Sequence, residues 1–226
     1  MINKIQASRV EALSIIPDGA SVIVGGFGDA GIPFELLDTL RELGTRDLTI
    51  ISNNAGTRDV GIAGLIKNGQ VRKIVCSHPR PPQSEVFAEA FRSGQLELEC
   101  MPQGTLAERL RAAGAGLGPF FTPTGYGTLM AEGKEQRVID GVGYVLEQPL
   151  HGDFALIRAH QGDRWGNLTY RWAARNFNPV MCTAAAHTIA QVDEVVKLGT
   201  IPPEHVMTAG IFVQTVVPVE AQHVRA

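Results

Sequence analysis

The sequence predicts an α/β chain with an open, mostly parallel β-sheet flanked by helices. Three observations predict it. Short β-branched runs alternate with stretches of helical periodicity. At 226 residues the chain is long enough for one sizeable α/β domain and short for two, so residues 1–226 are expected to form one unit. The early strands are each followed by a loop of glycines and amides, the place where open parallel sheets bind ligands.

The elements follow in order. A helix over 8–16 leads into a strand at 21–24, and the glycine loop Gly25-Gly26-Phe27-Gly28-Asp29-Ala30-Gly31 comes next. The helix over 33–43 opens with Pro33, whose missing N–H costs nothing in a first turn. Strands at 48–52, 73–76 and 96–101 then alternate with helices at 60–67, 84–92 and 105–113. Thr105 with Glu108 three residues on forms a capping box for the last of these. Residues 114–133 are rich in Gly, Pro and Thr but hold Phe120, Phe121 and Tyr126, too apolar for a solvated tether, so an ordered packed loop is expected. Further strands are expected at 142–146, 154–160, 194–197 and 211–217.

Composition removes several functional classes. With 44% hydrophobic and 19% charged residues the chain is an ordinary globular one, and no apolar run reaches the ~18 residues needed to span a membrane. Lys4, Arg9 and Glu11 interrupt the N-terminus, so it does not resemble a secretion signal, and the Asn167-Leu168-Thr169 sequon is then a chance match. Cys76, Cys100 and Cys182 are far apart and unpaired in pattern, which suits a reducing, cytoplasmic compartment. The histidines lack metal-ligand spacing, and no metal is expected. A net charge of −3 without a basic stripe argues against nucleic acid as a partner.

The strand-end loops carry the candidate site. Gly26-x-Gly28-x-x-Gly31 fits a dinucleotide fingerprint, but the acid expected near the end of the second strand is replaced by Ile51, Ser52 and Asn53. The glycines otherwise serve tight turning and close helix packing. Asn53 and Asn54 follow the second strand, His78 and Arg80 the third, and Gln103 the fourth. Such a surface accepts an oxygen-rich or anionic ligand; alternatively the amides cap turns. A nucleotide-binding oxidoreductase and a non-catalytic sugar- or acyl-binding domain remain open on these residues alone.

Longer segments narrow the choice. DGASVIVGGFGDAGIP at 18–33 resembles the first signature of the family I CoA-transferases. The resemblance continues through SNNAG (52–56), PQGTLAER (102–109), TPTGYGT (122–128), GDFALI (152–157) and ARNFNPVMC (174–182). It covers nearly the whole chain, in order, on the side of the A subunit. VCSHPR (75–80) and GDRWGNLTYRWAARNF (162–177) are most similar to the branch acting on 3-oxoadipate, with acetoacetate and other short 3-oxoacids as the alternative within the family.

The resemblance implies a CoA-transferase fold and CoA or acyl-CoA as substrate, with no permanently bound cofactor. It implies CoA transfer from succinyl-CoA to a carboxylic 3-oxoacid through a glutamyl anhydride and a glutamyl-CoA thioester. It also implies a homologous B subunit carrying the nucleophilic glutamate in a Ser-Glu-Asn-Gly motif, in an A2B2 or larger heteromer. Here the one Ser-Glu pair, Ser84-Glu85, runs into Val86-Phe87 and reads as a helix start. Gln103 then becomes the candidate for stabilising the oxyanion, with Asn53 and Asn54 in the same pocket. Arg80, between Pro79 and Pro81, is the candidate partner for the second carboxylate of 3-oxoadipate. Trp165 and Trp172 are expected in the core or against the partner.

Overall fold

The chain is described by a computed structural model over residues 1–219. Seven strands run parallel: β1 (Ser21–Val24), β2 (Leu48–Ile51), β3 (Val71–Cys76), β4 (Glu97–Cys100), β8 (Gly152–Gly162), β10 (Ala185–Val195) and β11 (Thr215–Pro218). Their spatial order is β11-β10-β8-β1-β2-β3-β4, with the short β9 (Leu168–Thr169) antiparallel to β8. The order turns at β1, which pairs with β2 on one side (Val22↔Ile50) and β8 on the other (Val22↔Phe154).

Strand alternation divides the core into two layers. Val22, Val24, Ile50, Ile74 and Leu156 face α1 (Arg9–Leu13), α2 (Phe34–Leu43), α3 (Gly61–Lys67) and α4 (Glu85–Arg92). Ile23, Ile51, Val75 and Ile157 face α5 (Gln103–Gly114) and α6 (Asn178–Thr183). Helix α2 shows the local logic: Leu36, Leu37 and Leu40 are buried on one stripe, and Gly44 ends the helix in the left-handed region at φ 74°.

Several expectations need correction. The segment 142–146 is a strand, β7 (Val142–Glu147), but it leaves the main sheet to join β5 (Phe120–Thr122) and β6 (Gln136–Ile139) in a separate antiparallel one. Residues 114–133 are ordered as expected, with Phe120 and Phe121 half-buried and the Tyr126 ring lying where a Cβ on Gly143 would be. Glu147, 3% exposed, fastens this small sheet by accepting Lys134 Nζ at 2.6 Å and facing Arg109 Nε of α5 at 3.9 Å.

The capping box is absent. Helix α5 begins at Gln103, because Pro102, held at φ −56°, turns the chain directly into it. Thr105 is therefore inside the helix, buried, with no partner for its hydroxyl. Strand β10 starts nine residues before the expected 194, since Thr188 and Gln191 mask its apolar pattern. Both are paired: Thr188 Oγ1 donates to Cys182 O, and Gln191 Nε2 to Glu35 while its Oε1 meets the Leu36 amide. The last strand is shorter than 211–217, because residues 210–212 form a 3-10 turn.

Candidate active site

The carboxyl ends of β2, β3 and β4 bring three polar side chains together. Asn53 is 3% exposed, and its Oδ1 accepts from Gln103 Nε2 at 2.7 Å and from Ser77 Oγ at 3.0 Å. Its backbone carbonyl accepts the amides of Ser77 (3.2 Å) and His78 (3.0 Å), which locks the β2 and β3 loops to each other. Oδ1 is thus doubly engaged as an acceptor, while no protein acceptor among the described residues takes the N–H bonds of the Asn53 amide group.

Gln103 is exposed and occupies the first turn of the twelve-residue α5, which has no side-chain cap. The helix amides at its start and the carboxamides of Asn53 and Gln103 are thus neutral donors in one place. Gly104 leaves open space beyond its Cα. Asn54, also 3% exposed, accepts from the Gly56 amide at 2.8 Å and reaches Gly28 O at 3.5 Å, tying the β2 loop to the glycine loop.

The glycine loop is shaped by packing. Phe27 and Ala30 exchange backbone hydrogen bonds across a tight turn, and a side chain on Gly26 would run into Ile32. A Cβ on Gly25 would overlap Asn178 Oδ1, and one on Gly31 would sit 2.7 Å from both Ala174 O and Asn178 Nδ2. Gly28 faces open space, with φ 57°. No carboxylate stands at the end of β2, where Ser52 Oγ instead donates to Val24 O at 2.9 Å.

Arg80 lies elsewhere. It is exposed and lines a groove of about 360 Å³ with Pro79, Phe87, Phe91, Arg92 and Leu98, which Asn53, Asn54 and Gln103 do not line. Glu85 is exposed at the start of α4. A second cavity of about 360 Å³ lies at the opposite end of the sheet, where β1, β8 and β10 begin, around Ser21, His151 and Asp153.

The thiols offer no nucleophile. Burial pushes both Cys76 and Cys182 up to about 12 and raises Cys100 as well, so all three stay protonated near neutrality. Among the described residues no three His, Cys, Asp or Glu side chains converge as metal ligands, and no helix is long and apolar enough to cross a membrane. Sequence reasoning missed Ser77, whose hydroxyl joins the Asn53 cluster, and Asn178, which braces the glycine loop from α6. Neither has a sequence signal beyond its place inside a longer motif.

The geometry is that of a cluster of neutral amide and hydroxyl groups at the strand ends. A family model described as coenzyme A transferase matches residues 7–218. The chain belongs to the coenzyme A transferase family. Within that family it is 63% identical over 219 residues to the A subunit of the 3-oxoadipate CoA-transferase of Pseudomonas putida, covering 97% of this chain and 95% of that one. The corresponding subunit from Acinetobacter baylyi is 60% identical over 221 residues, covering 98% and 97%. Among solved structures, an acyl-CoA transferase of Escherichia coli O157:H7 in a thioester complex with CoA superposes with a TM-score of 0.85 at 26% identity. That match covers 98% of this coenzyme A transferase chain but 48% of the solved one.

Proposed function

We propose that the protein is the A subunit of a two-subunit, cytoplasmic CoA-transferase that moves CoA from succinyl-CoA to 3-oxoadipate. The observation that carries this reading is the 63% identity to the A subunit of an enzyme of that specificity, sustained over nearly the full length of both chains. In the reaction a carboxylate attacks the thioester carbonyl, CoA thiolate leaves, and an acyl anhydride forms. The thiolate then attacks the carboxylate-derived carbonyl, releasing succinate and leaving CoA on the nucleophile. The acceptor acid reverses the two steps and departs as its CoA thioester.

Every tetrahedral intermediate places negative charge on a former carbonyl oxygen. Asn53 and Gln103 supply neutral N–H donors for that oxygen, and their mutual hydrogen bond fixes their direction before substrate arrives. Asn54, next in sequence to Asn53 and hydrogen-bonded to the bare Gly28, holds the substrate chain. The nucleophile is a glutamate of a homologous B subunit, in an A2B2 or larger assembly. The half-length match to the Escherichia coli enzyme supports a second half. Reconstitution tests the reading: the purified chain is expected to transfer no CoA, activity to appear with the B subunit, and Glu85→Ala to leave that activity intact. Turnover by the chain alone, abolished in Glu85→Ala, would overturn it.

A further inference from the structure

Residues 171–175 form an unusual surface feature. Trp172 is 81% exposed, too open for a core residue, and its backbone sits in the left-handed region at φ 51°. A bulky side chain adopts that conformation only when its surroundings impose it. The surroundings are two asparagines that bolt this turn to the glycine loop. Asn176 Nδ2 donates to Ala30 O at 2.9 Å and to Ala173 O at 2.7 Å. Asn178 Nδ2 donates to Gly31 O at 3.1 Å and to Ala174 O at 2.8 Å.

The indole is therefore exposed on a turn whose backbone is held by hydrogen bonds. The Arg171 guanidinium stacks over its ring at 4.2 Å from the centroid. Arg171 and Arg175 are both exposed, and neither meets a carboxylate among the described residues. On the other side of the asparagine bolts, Phe27 stands 50% exposed at the base of the glycine-loop turn. Tryptophan, arginine and a second aromatic on preorganised loops are the composition of an interface hot spot, where little side-chain entropy remains to be lost on docking.

We infer that Trp172, flanked by Arg171 and Arg175 and accompanied by Phe27, is the docking point for the second subunit, which meets it with an apolar socket rimmed by carboxylates. This inference rests on the two-subunit reading above. Two observations commit it to that occupant. The solved relative, one continuous polypeptide, has about as much sequence again as this chain, so a second half has to cover some face of it. Phe27 belongs to the glycine loop that Asn54 joins to the candidate active site, and the Trp172 turn is fastened to that loop by Asn176, so a subunit bound there lies beside the donors it must complete. The two guanidiniums, which meet no carboxylate among the described residues, call for acidic groups opposite.

The test uses the full chain and its cognate B subunit. In a Trp165→Phe chain, Trp172 is the remaining tryptophan. Its emission is expected to shift to the blue and lose acrylamide quenching when the B subunit is added. Trp172→Ala, which keeps the backbone strain and removes the ring, is expected to weaken assembly tenfold or more by sedimentation while leaving the melting temperature of the isolated chain unchanged. Phe27→Ala should weaken it in the same direction, and Val138→Asp in the small sheet should not. Unchanged fluorescence with normal assembly overturns the inference. So does an effect confined to self-association of the isolated chain, or to the KM for acyl-CoA in a fully assembled complex. If the wild-type chain shows no association with the B subunit and turns over alone, the two-subunit reading itself fails, whatever Trp172 does.

Discussion

The role proposed for Gln103 puts two demands on one side chain, which has to be exposed enough to meet substrate and held well enough to stabilise charge. Its hydrogen bond to Asn53 supplies the second. In the reconstituted enzyme Gln103→Ala is expected to lower kcat roughly 10- to 1,000-fold with little change in KM, because the lost donor acts mainly on the oxyanion. Assembly should be unaffected, and a wild-type kcat would leave Gln103 with a structural place at the start of α5. Arg80 poses a separate question, because it lines the groove beside Arg92 and Phe91 and not the amide cluster. If the far carboxylate of 3-oxoadipate reaches it, Arg80→Ala costs about 1.5–3 kcal/mol in kcat/KM for that acid and nearly nothing for acetoacetate. Equal losses for both acids would make it a structural or CoA-holding residue. That Asn53 and Gln103 meet was legible in the sequence because each follows a strand end, whereas Arg80 follows one too and lines a separate groove. Ser77 was not legible, since a serine after a strand is unremarkable until its hydroxyl is seen to reach Asn53.

At the scale of elements, the glycine loop separates two uses of the same residue type. Gly25→Ala forces a methyl group onto Asn178, whose carboxamide accepts from the Arg158 amide and donates to Gly31 O and Ala174 O. Displacing it should cost about 3 kcal/mol through overpacking and lost hydrogen bonds. Gly28→Ala meets no neighbour and carries the left-handed backbone strain alone, about 1–2 kcal/mol. Thermal denaturation of the two variants checks the order, and a smaller loss at Gly25 would show that α6 yields easily. The first four strands and their helices were readable because apolar runs and turn signals alternate there without interruption. Where the pattern failed, a polar residue was buried with a distant partner, as Gln191 is with Glu35 across 156 positions. The capping box failed for a local reason, since Pro102 starts α5 two residues earlier than Thr105. Helix α6 is too short for periodicity to reveal.

Across the whole molecule, charge and connectivity set how stability is distributed. Burial pushes the Glu99 carboxyl up, but hydrogen bonds from Lys73 and Arg109 outweigh it and hold the group below its usual range. A lowered folded pKa means that the stabilisation is complete above the ordinary carboxylate range and is lost as pH falls through the folded value. Glu99→Gln is therefore expected to lower stability near neutrality by about 1 kcal/mol, a modest figure because the side chain is 38% exposed. The difference from wild type should shrink in acid, and a loss independent of pH would assign it to packing. The position of β1 also bears on biosynthesis. One edge of β1 pairs with β2, which follows soon after it, but its other edge waits for β8, about 130 residues further on. During translation the nascent chain can zip β1 to β4 while Val22 to Val24 still present an unsatisfied row of amides and carbonyls to solvent. That interval, more than any weakness of the finished fold, is when this polypeptide is most exposed to misassembly, and it ends only when the ribosome has delivered β8.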